Sequence, residues 1–235
     1  MRGGGLDVSR ALDADLEPHL ADRADRGLRP ACLFPTLTDG SPDSTFDSLC
    51  REIRHCRLCA EQLPLAPNPV FLASPHARIL VAGQAPGIRV HRTGIPFNDP
   101  SGDRLREWMG VDRETFYDSS VFAIIPMGFC YPGTGPSGDR PPRPECARAW
   151  RASLLAALSG IELTLAIGQY AIAWHLSKRR RKNLTETVRN WRDYAPGVIP
   201  LPHPSPRNNI WLSRNPWFER DVVPSLQHRI RELVP

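Results

Sequence analysis

Long apolar runs are missing from this chain of 235 residues. No stretch of about 18 or more apolar residues occurs, which argues against a helix that spans a bilayer. The first ten residues, MRGGGLDVSR, also lack the apolar centre of a secretory signal peptide. Hydrophobic residues still make up 41% of the chain, which is enough for the core of one large α/β domain. The sequence therefore predicts a cytoplasmic protein without membrane contact.

The chain also has fewer acidic than basic residues. The chain has 30 Lys and Arg residues against 25 Asp and Glu, a formal net charge of +5 and a pI of about 9.1. This balance favours a polyanionic partner such as nucleic acid. The basic run Lys178–Lys182 is either a solvated surface or a loop that contacts phosphate. The 25 prolines are roughly twice the usual share and predict long ordered loops.

The glycine patterns of the common phosphate-binding loops are also missing. The stretch GQAPG, Gly83 to Gly87, follows an apolar run. Its spacing matches neither the dinucleotide fingerprint nor a Walker-type loop. It is compatible with a tight turn after a strand, or with a backbone surface that holds a ligand or a water molecule close to Gln84.

Apolar runs alternate with helical patterns, which indicates βαβ units and a parallel sheet with helices on both faces. The predicted strands are 77–83, 121–127, 162–168 and 198–201. The predicted helices are 46–60, 101–110, 144–158, 170–176, 185–193 and 216–234. We expect residues 1–45 to form an N-terminal extension with a short helix at 12–24, and residues 46–235 to form the domain.

Ligands of such sheets bind outside the carboxyl ends of the strands. Three loops follow predicted strands: GQAPG, the segment after Met127, and HPSPRN at 203–208. We therefore expect these loops to meet at one crevice.

His203 is the first candidate for chemistry at that crevice. It ends a strand and lies between two prolines, which stiffen the loop. A lone histidine is more often structural, but an imidazole fixed at this place can donate a hydrogen bond to a developing anion.

The segment RTGIPFNDPSGD, Arg92 to Asp103, supplies further candidates. Phe97 lies among prolines and polar residues, where an aromatic ring can stack on a planar ligand. Asp99 and Asp103 bring carboxylates to the same crevice. Asp103 also suits the first turn of a helix that Ser101 would cap.

Six cysteines in a cytoplasmic protein favour metal or redox chemistry over disulfides. Cys56 and Cys59 form a C-x-x-C pair, and Cys130 and Cys146 follow later in the chain. Four thiolates suit zinc or an iron–sulfur cluster. The two cysteines expected to carry no metal are Cys32 and Cys50.

Together these motifs resemble the uracil-DNA glycosylase superfamily over about residues 46–234. GQAPG, RTGIPF and SGDRL carry one signature of that superfamily and HPSPRN carries another. The order and spacing of the cysteines are similar to those of its iron–sulfur families, four and five. HPSPRN also resembles the second motif of the single-strand-selective family.

The resemblance implies a three-layer αβα sandwich around a four-stranded, mainly parallel sheet. It implies a structural 4Fe–4S cluster, with zinc as the alternative, bound by Cys56, Cys59, Cys130 and Cys146. It also implies a monofunctional glycosylase that flips uracil or another deaminated base out of DNA, cleaves its N-glycosidic bond and leaves an abasic site. The expected protein is a bacterial-type monomer that associates with the nucleoid through DNA.

The resemblance also implies roles for single residues. His203 would donate a hydrogen bond to uracil O2 and Phe97 would stack on the base. Ser205 would contact phosphate, while Arg207 and Asn208 would brace the DNA near the flipped nucleotide. The other candidates for substrate binding are Gly83, Ala85, Pro86, Gly87, Asn98 and Asp99.

The first loop departs from the pattern of its relatives. Gln84 and Ala85 stand where the most active family carries an Asp and family four a Glu. Family five also lacks an acid there and uses one in a later segment, which here would be Asp103. We therefore expect Asp103 to be the acid that stabilises the sugar cation or positions water, with Asp99 as the alternative. His203, Asp103 and Gln84 form the expected catalytic set.

A second departure concerns base recognition. Relatives read uracil with an Asn shortly before the third cysteine, whereas AIIPMGFC, Ala123 to Cys130, contains none. Asn98, or backbone groups around Met127 and Gly128, would then read the base.

Two other functions remain open. A binding module of the same fold would grip damaged or single-stranded DNA without cleaving it efficiently. The second alternative is a metal-containing protein that binds a free nucleotide or base. The basic composition and Arg207 favour DNA over such a small ligand.

Overall fold

The computed structural model of the chain describes residues 43–136 and 138–234. The predicted helix at 12–24, almost all of the expected extension, and Cys32 lie outside this part of the chain.

A four-stranded parallel sheet forms the centre of the domain. Within the described residues the strands are β1 (Ile79–Ala82), β2 (Phe122–Ile124), β3 (Thr134–Gly135), β4 (Gly138–Asp139), β5 (Leu163–Ile167) and β6 (Val198–Leu201). The sheet has the order β2-β1-β5-β6 with parallel pairing throughout, and β3 and β4 form a separate antiparallel hairpin. Strands β1, β2 and β5 are buried along their whole length, as expected of a parallel sheet covered on both faces.

Helices flank this sheet and complete a three-layer αβα sandwich, which confirms the predicted fold. They are α1 (Asp43–Arg54), α2 (Ile88–Thr93), α3 (Pro100–Met109), α4 (Arg113–Phe116), α5 (Pro144–Cys146), α6 (Ala152–Ala156), α7 (Gly168–Leu176), α8 (Leu184–Arg189), α9 (Asn209–Arg214) and α10 (Val223–Arg231). A wide turn at Ala147–Arg151 joins α5 to α6, so the predicted helix 144–158 is continuous but not uniform. In the part of the chain that is described, none of the helices has the length and apolar character that a bilayer crossing requires.

Two of the errors in the predicted helix boundaries affect candidate residues. Helix α1 ends at Arg54 rather than at residue 60, so Cys56 and Cys59 lie in the turn beyond it. Helix α3 is capped by Asp99, not by Ser101. The Asp99 carboxylate accepts the Gly102 N–H at 2.9 Å, and a proline occupies the first helical position.

The strand order determines where a ligand can enter. The chain leaves β1 for β2 on one side of the sheet and later fills the other side with β5 and β6. Such a reversal opens a crevice outside the carboxyl ends of the strands. The loops that begin at Gly83 and at Pro202 start at that edge.

Candidate active site and cysteine cluster

A cleft of about 310 Å³ opens at the carboxyl edge of the sheet. The predicted residues that line it are Gly83, Gln84, Ala85, Pro86, Gly87, Phe97, Asp99, His203, Ser205 and Arg207. Ile124 and Pro126, at the end of β2, also line the cleft, so segments that follow all three strands contribute to it. The expected crevice is therefore present. Asp103, Asn98 and Asn208 do not contribute to its lining.

His203 is half-buried and fixed by contacts within its own loop. Its Nδ1 accepts the backbone N–H of Ser205 at 3.2 Å, and its carbonyl oxygen accepts Nδ2 of Asn208 at 2.7 Å. Because Nδ1 is an acceptor, the neutral ring carries its proton on Nε2. Burial lowers the pKa of His203, and the carboxylates of Asp99 and Asp139 oppose this shift only in part. The residue therefore offers a neutral N–H donor at physiological pH.

The histidine loop is also tied to α3. Nη1 of Arg104 donates to the carbonyl oxygens of Pro204 at 3.4 Å and Ser205 at 3.2 Å. This arginine was not among the predicted residues. Its contacts link the two sequence signatures, because α3 carries one of them and the histidine loop carries the other.

Phe97 forms an aromatic wall of the cleft. Its φ of 54° lies in the left-handed region, which non-glycine residues rarely adopt. A Cβ atom at Gly102 would collide with the Phe97 carbonyl oxygen, and one at Gly83 would lie 3.1 Å from the ring. Glycine at these two positions thus leaves room for Phe97, whose ring packs edge-on against Phe116.

The acidic residues are arranged differently from the expectation. Asp103 is exposed and forms an ion pair with Arg106 at 2.5 Å, while Asp99 lines the cleft as it caps α3. Asp139, which sequence reasoning missed, lines the cleft from the β3–β4 hairpin. Only the pairing of the hairpin brings it there, and no motif around SGDR indicates such a pairing.

The candidate base readers are largely engaged with protein groups. Oδ1 of Asn98 accepts a hydrogen bond from Nη1 of Arg113 at 3.1 Å. The N–H groups of Met127 and Gly128 donate to the carbonyl oxygens of Gly83 and Gln84 at 2.9 and 3.0 Å. Nε2 of Gln84 donates to the Arg140 carbonyl oxygen at 3.2 Å. These bonds hold the first loop and the hairpin against the end of β2.

The four predicted metal ligands line one small cavity. Cys59 and Cys146 are within hydrogen-bonding reach of each other, and the Trp150 indole N–H donates to Sγ of Cys56 at 3.2 Å. Burial raises the pKa of Cys130 to about 11 and that of Cys146 to about 12. Metal binding would therefore have to displace protons from these thiols.

The four thiols do not form a preformed site for a single ion. Across the described residues, no three His, Cys, Asp or Glu side chains are arranged to bind a single metal ion. Zinc would require all four sulfur atoms at about 2.3 Å from one point. Cys50 lies outside this cavity and packs in the hydrophobic core.

A fully buried arginine supports the floor of the cleft. Nη1 of Arg151 donates to the carbonyl oxygens of Ile125 and Pro126, both at 3.0 Å. Nη2 donates to Nε2 of His175 at 2.6 Å. Burial and the neighbouring guanidinium lower the pKa of His175 to about 3, so that imidazole is neutral.

The basic run does not line the cleft. It follows α7, which starts at the carboxyl edge beside β5 and runs back along the sheet. Arg181 forms an ion pair with Asp193 at 2.6 Å, and Arg179 packs over the Tyr194 ring. Part of this run is therefore bound to the protein's own surface.

Two comparisons with known proteins found similarity over most of the domain. The family model of the uracil DNA glycosylase superfamily matches residues 70–227. A type-4 uracil-DNA glycosylase from Thermotoga maritima is 26% identical over 170 residues, which cover 69% of this chain and 83% of that protein. The region that the family model matches includes the histidine loop and the cleft.

Proposed function

The chain belongs to the uracil DNA glycosylase superfamily, and on that premise we propose that it removes uracil from DNA by hydrolysing the N-glycosidic bond. The observation that carries the proposal is His203. Its ring is held with Nδ1 as acceptor, so Nε2–H remains as the donor in a cleft that also contains an aromatic wall.

The reaction follows from charge separation. A flipped uracil enters the cleft and stacks on Phe97. The bond between C1′ and the base N1 breaks with its electron pair on the base, and negative charge builds on O2. The Nε2–H of His203 donates to that oxygen and stabilises the anion. Water then adds to C1′ of the oxocarbenium-like sugar, which leaves free uracil and an abasic site.

The cleft acid of this mechanism is Asp99 rather than Asp103. Asp99 lines the cleft and acts electrostatically on His203. The Asp103 carboxylate is 71% exposed and bound to Arg106. A carboxylate must lie near the sugar cation to stabilise it, and only the first of these two residues meets that condition.

Base selection falls to Gln84 in this proposal. Its Nε2 donates to Arg140, so Oε1 is the side-chain atom that can accept the N3–H of uracil. The rest of the cleft floor is apolar, formed by Val70, Ile124 and Pro126. One amide acceptor discriminates less than a dedicated Asn with both groups aimed at the base, so other deaminated bases are expected substrates.

The four cysteines would hold a 4Fe–4S cluster in the same proposal. The cluster would act as a structural cross-link between the turn after α1 and the loop from Cys130 to Cys146. Iron and sulfide content together with visible absorbance distinguish it from zinc. Replacement of Cys130 and Cys146 by Ser should abolish both signals, and retained metal would contradict the four-cysteine site.

The test of activity uses oligonucleotides that carry one uracil, hypoxanthine or xanthine, in single and double strands. Alkali-labile abasic sites should form with the wild-type protein and not with His203→Ala. Tight retention of uracil-DNA without cleavage would instead identify a binding module, which the missing acid in the first loop also permits. A lack of DNA affinity at low salt would contradict both functions.

A further inference from the structure

The β3–β4 hairpin lies between the third and fourth cysteines and closes one side of the cleft. Its base is held by the Arg140 N–H, which donates to the Gly133 carbonyl oxygen at 2.7 Å. Gln84 in the first loop binds the Arg140 carbonyl oxygen. The guanidinium of Arg207 packs directly over Gly138, at the place that a Cβ atom would occupy. The hairpin is thus tied to both signature loops.

Asp139 ends this hairpin with its carboxylate in the cleft. Its Oδ1 accepts a hydrogen bond from the Oγ1 hydroxyl of Thr134, the residue opposite on β3, at 3.4 Å. Its Oδ2 lies 3.4 Å from the position that a Cβ atom would take at Gly87, and Oδ2 of Asp99 lies 4.0 Å from the same position. Two carboxylates therefore approach one point of the first loop, at Gly87.

We infer that Asp139 is a second catalytic carboxylate, which the hairpin adds to the cleft beside Asp99. The inference rests on the proposed glycosylase function and deepens it. The first loop ends in glycine where it passes the two carboxylates, and Gln84 in the same loop holds the hairpin by donating to the Arg140 carbonyl oxygen. The contact that fixes the first loop therefore also fixes the strand that carries Asp139.

The step assigned to Asp139 balances without a further reactant. As the bond between C1′ and N1 breaks, the Asp139 carboxylate stabilises the positive charge on the sugar together with Asp99. A water oxygen then forms the new bond to C1′, and Asp139 accepts the proton that this water releases. The proton passes to N1 of the departing base through solvent, so the products are uracil and a neutral abasic sugar.

Single-turnover kinetics with Asp139→Asn test the role. The variant should release uracil at least about tenfold more slowly, because it keeps the shape of the side chain and loses its charge. Its affinity for DNA with a non-cleavable uracil analogue should be equal or higher, because a negative charge near the phosphates is removed. Glu219→Gln, an exposed change outside the cleft lining, should alter neither quantity.

Several outcomes overturn the inference. A rate within twofold of wild type does so, and so does a parallel loss of rate, DNA affinity and Tm, which would indicate a structural role. If the wild-type protein releases no base, the proposed function fails, and an NMR titration of His203 still tests the placement of Asp139.

The charged residues that line the cleft with His203 are Arg89, Asp99, Asp139 and Arg207, and the Asp139→Asn variant changes one of these charges. The pKa of His203 should be lower in Asp139→Asn, and an unchanged value overturns the inference.

Discussion

His203 owes its tautomer to a contact two residues along the chain. The flanking prolines, visible in the sequence, predicted a stiff loop and a fixed ring. They could not predict that the Ser205 N–H would point at Nδ1, because that contact depends on the backbone path after Pro204. The donor residue could thus be identified from the sequence, while the structure identifies the donor atom.

The neutral state of His203 leads to a pH prediction. The folded pKa lies below the ordinary value of 6.5, because burial disfavours the charged ring. The neutral donor therefore persists as the pH falls through 6.5, and activity should be lost only at lower pH. The acid limb of kcat/KM should have its midpoint below about 6.5, and a midpoint at or above that value would contradict the assignment.

Asp103 was the expected acid, and the reason it lies elsewhere is the orientation of α3. This helix packs inward through Leu105, Trp108 and Met109, which are buried. Asp103 falls on the opposite, exposed side and pairs with Arg106, one turn on. Sequence patterns indicated the helix and its acids, but not which acid would turn towards a cleft formed by other loops.

At the scale of elements, the loop before α3 and the first turn of that helix form one unit. Asp99 caps the helix, Phe97 adopts a positive φ, and Gly102 allows the Phe97 carbonyl to approach the helix backbone. RTGIPFNDPSGD therefore encodes a conformation, not only a set of contact residues. The strands of the sheet could be predicted from apolar runs, whereas α2, α4, α9 and the hairpin were not predicted, because short elements leave little periodicity.

Gly102→Ala tests this unit. The added methyl group would overlap the Phe97 carbonyl oxygen, which backbone movement alone can relieve. We expect a loss of about 1–3 kcal/mol in the free energy of unfolding and weaker binding of uracil-DNA. Gly197→Ala is the matched control, since a Cβ there meets nothing within 4 Å and stability should change by less than about 1 kcal/mol.

Urea unfolding and a DNA-binding titration measure both effects. Equal losses in the two glycine variants would contradict the close approach at Gly102. A Gly102→Ala protein that binds DNA and unfolds as the wild type does would contradict it as well.

At the scale of the whole molecule, stability depends on pH through the buried Arg151–His175 pair. The folded pKa of His175 is about 3 against 6.5 in the unfolded chain, because burial and Arg151 disfavour its protonation. The unfolded state therefore takes up a proton as the pH falls below 6.5 and the folded state does not. This residue should cost about 1.4 kcal/mol of stability per pH unit between those values.

Between pH 6.5 and about pH 4, the unfolding free energy of His175→Asn should fall less steeply than that of the wild type, by about 1.4 kcal/mol per pH unit. Denaturant unfolding at several pH values measures it, and His76→Gln, a change at an exposed histidine, serves as control. Equal slopes for wild type and His175→Asn would contradict a neutral, buried His175. No sequence pattern indicates this pair, because its members come from different elements that only the fold brings together.

Release of free uracil under single-turnover conditions tests the central claim most directly. Excess protein is mixed with a duplex that carries one uracil, and free base and abasic sites are counted over time, with His203→Ala and a thymine duplex alongside. We expect equal amounts of uracil and abasic sites, a rate at least about a hundredfold lower for His203→Ala, and no release of thymine. Release at the same rate by wild type and His203→Ala, or no release while uracil-DNA stays bound, would contradict catalysis by this cleft.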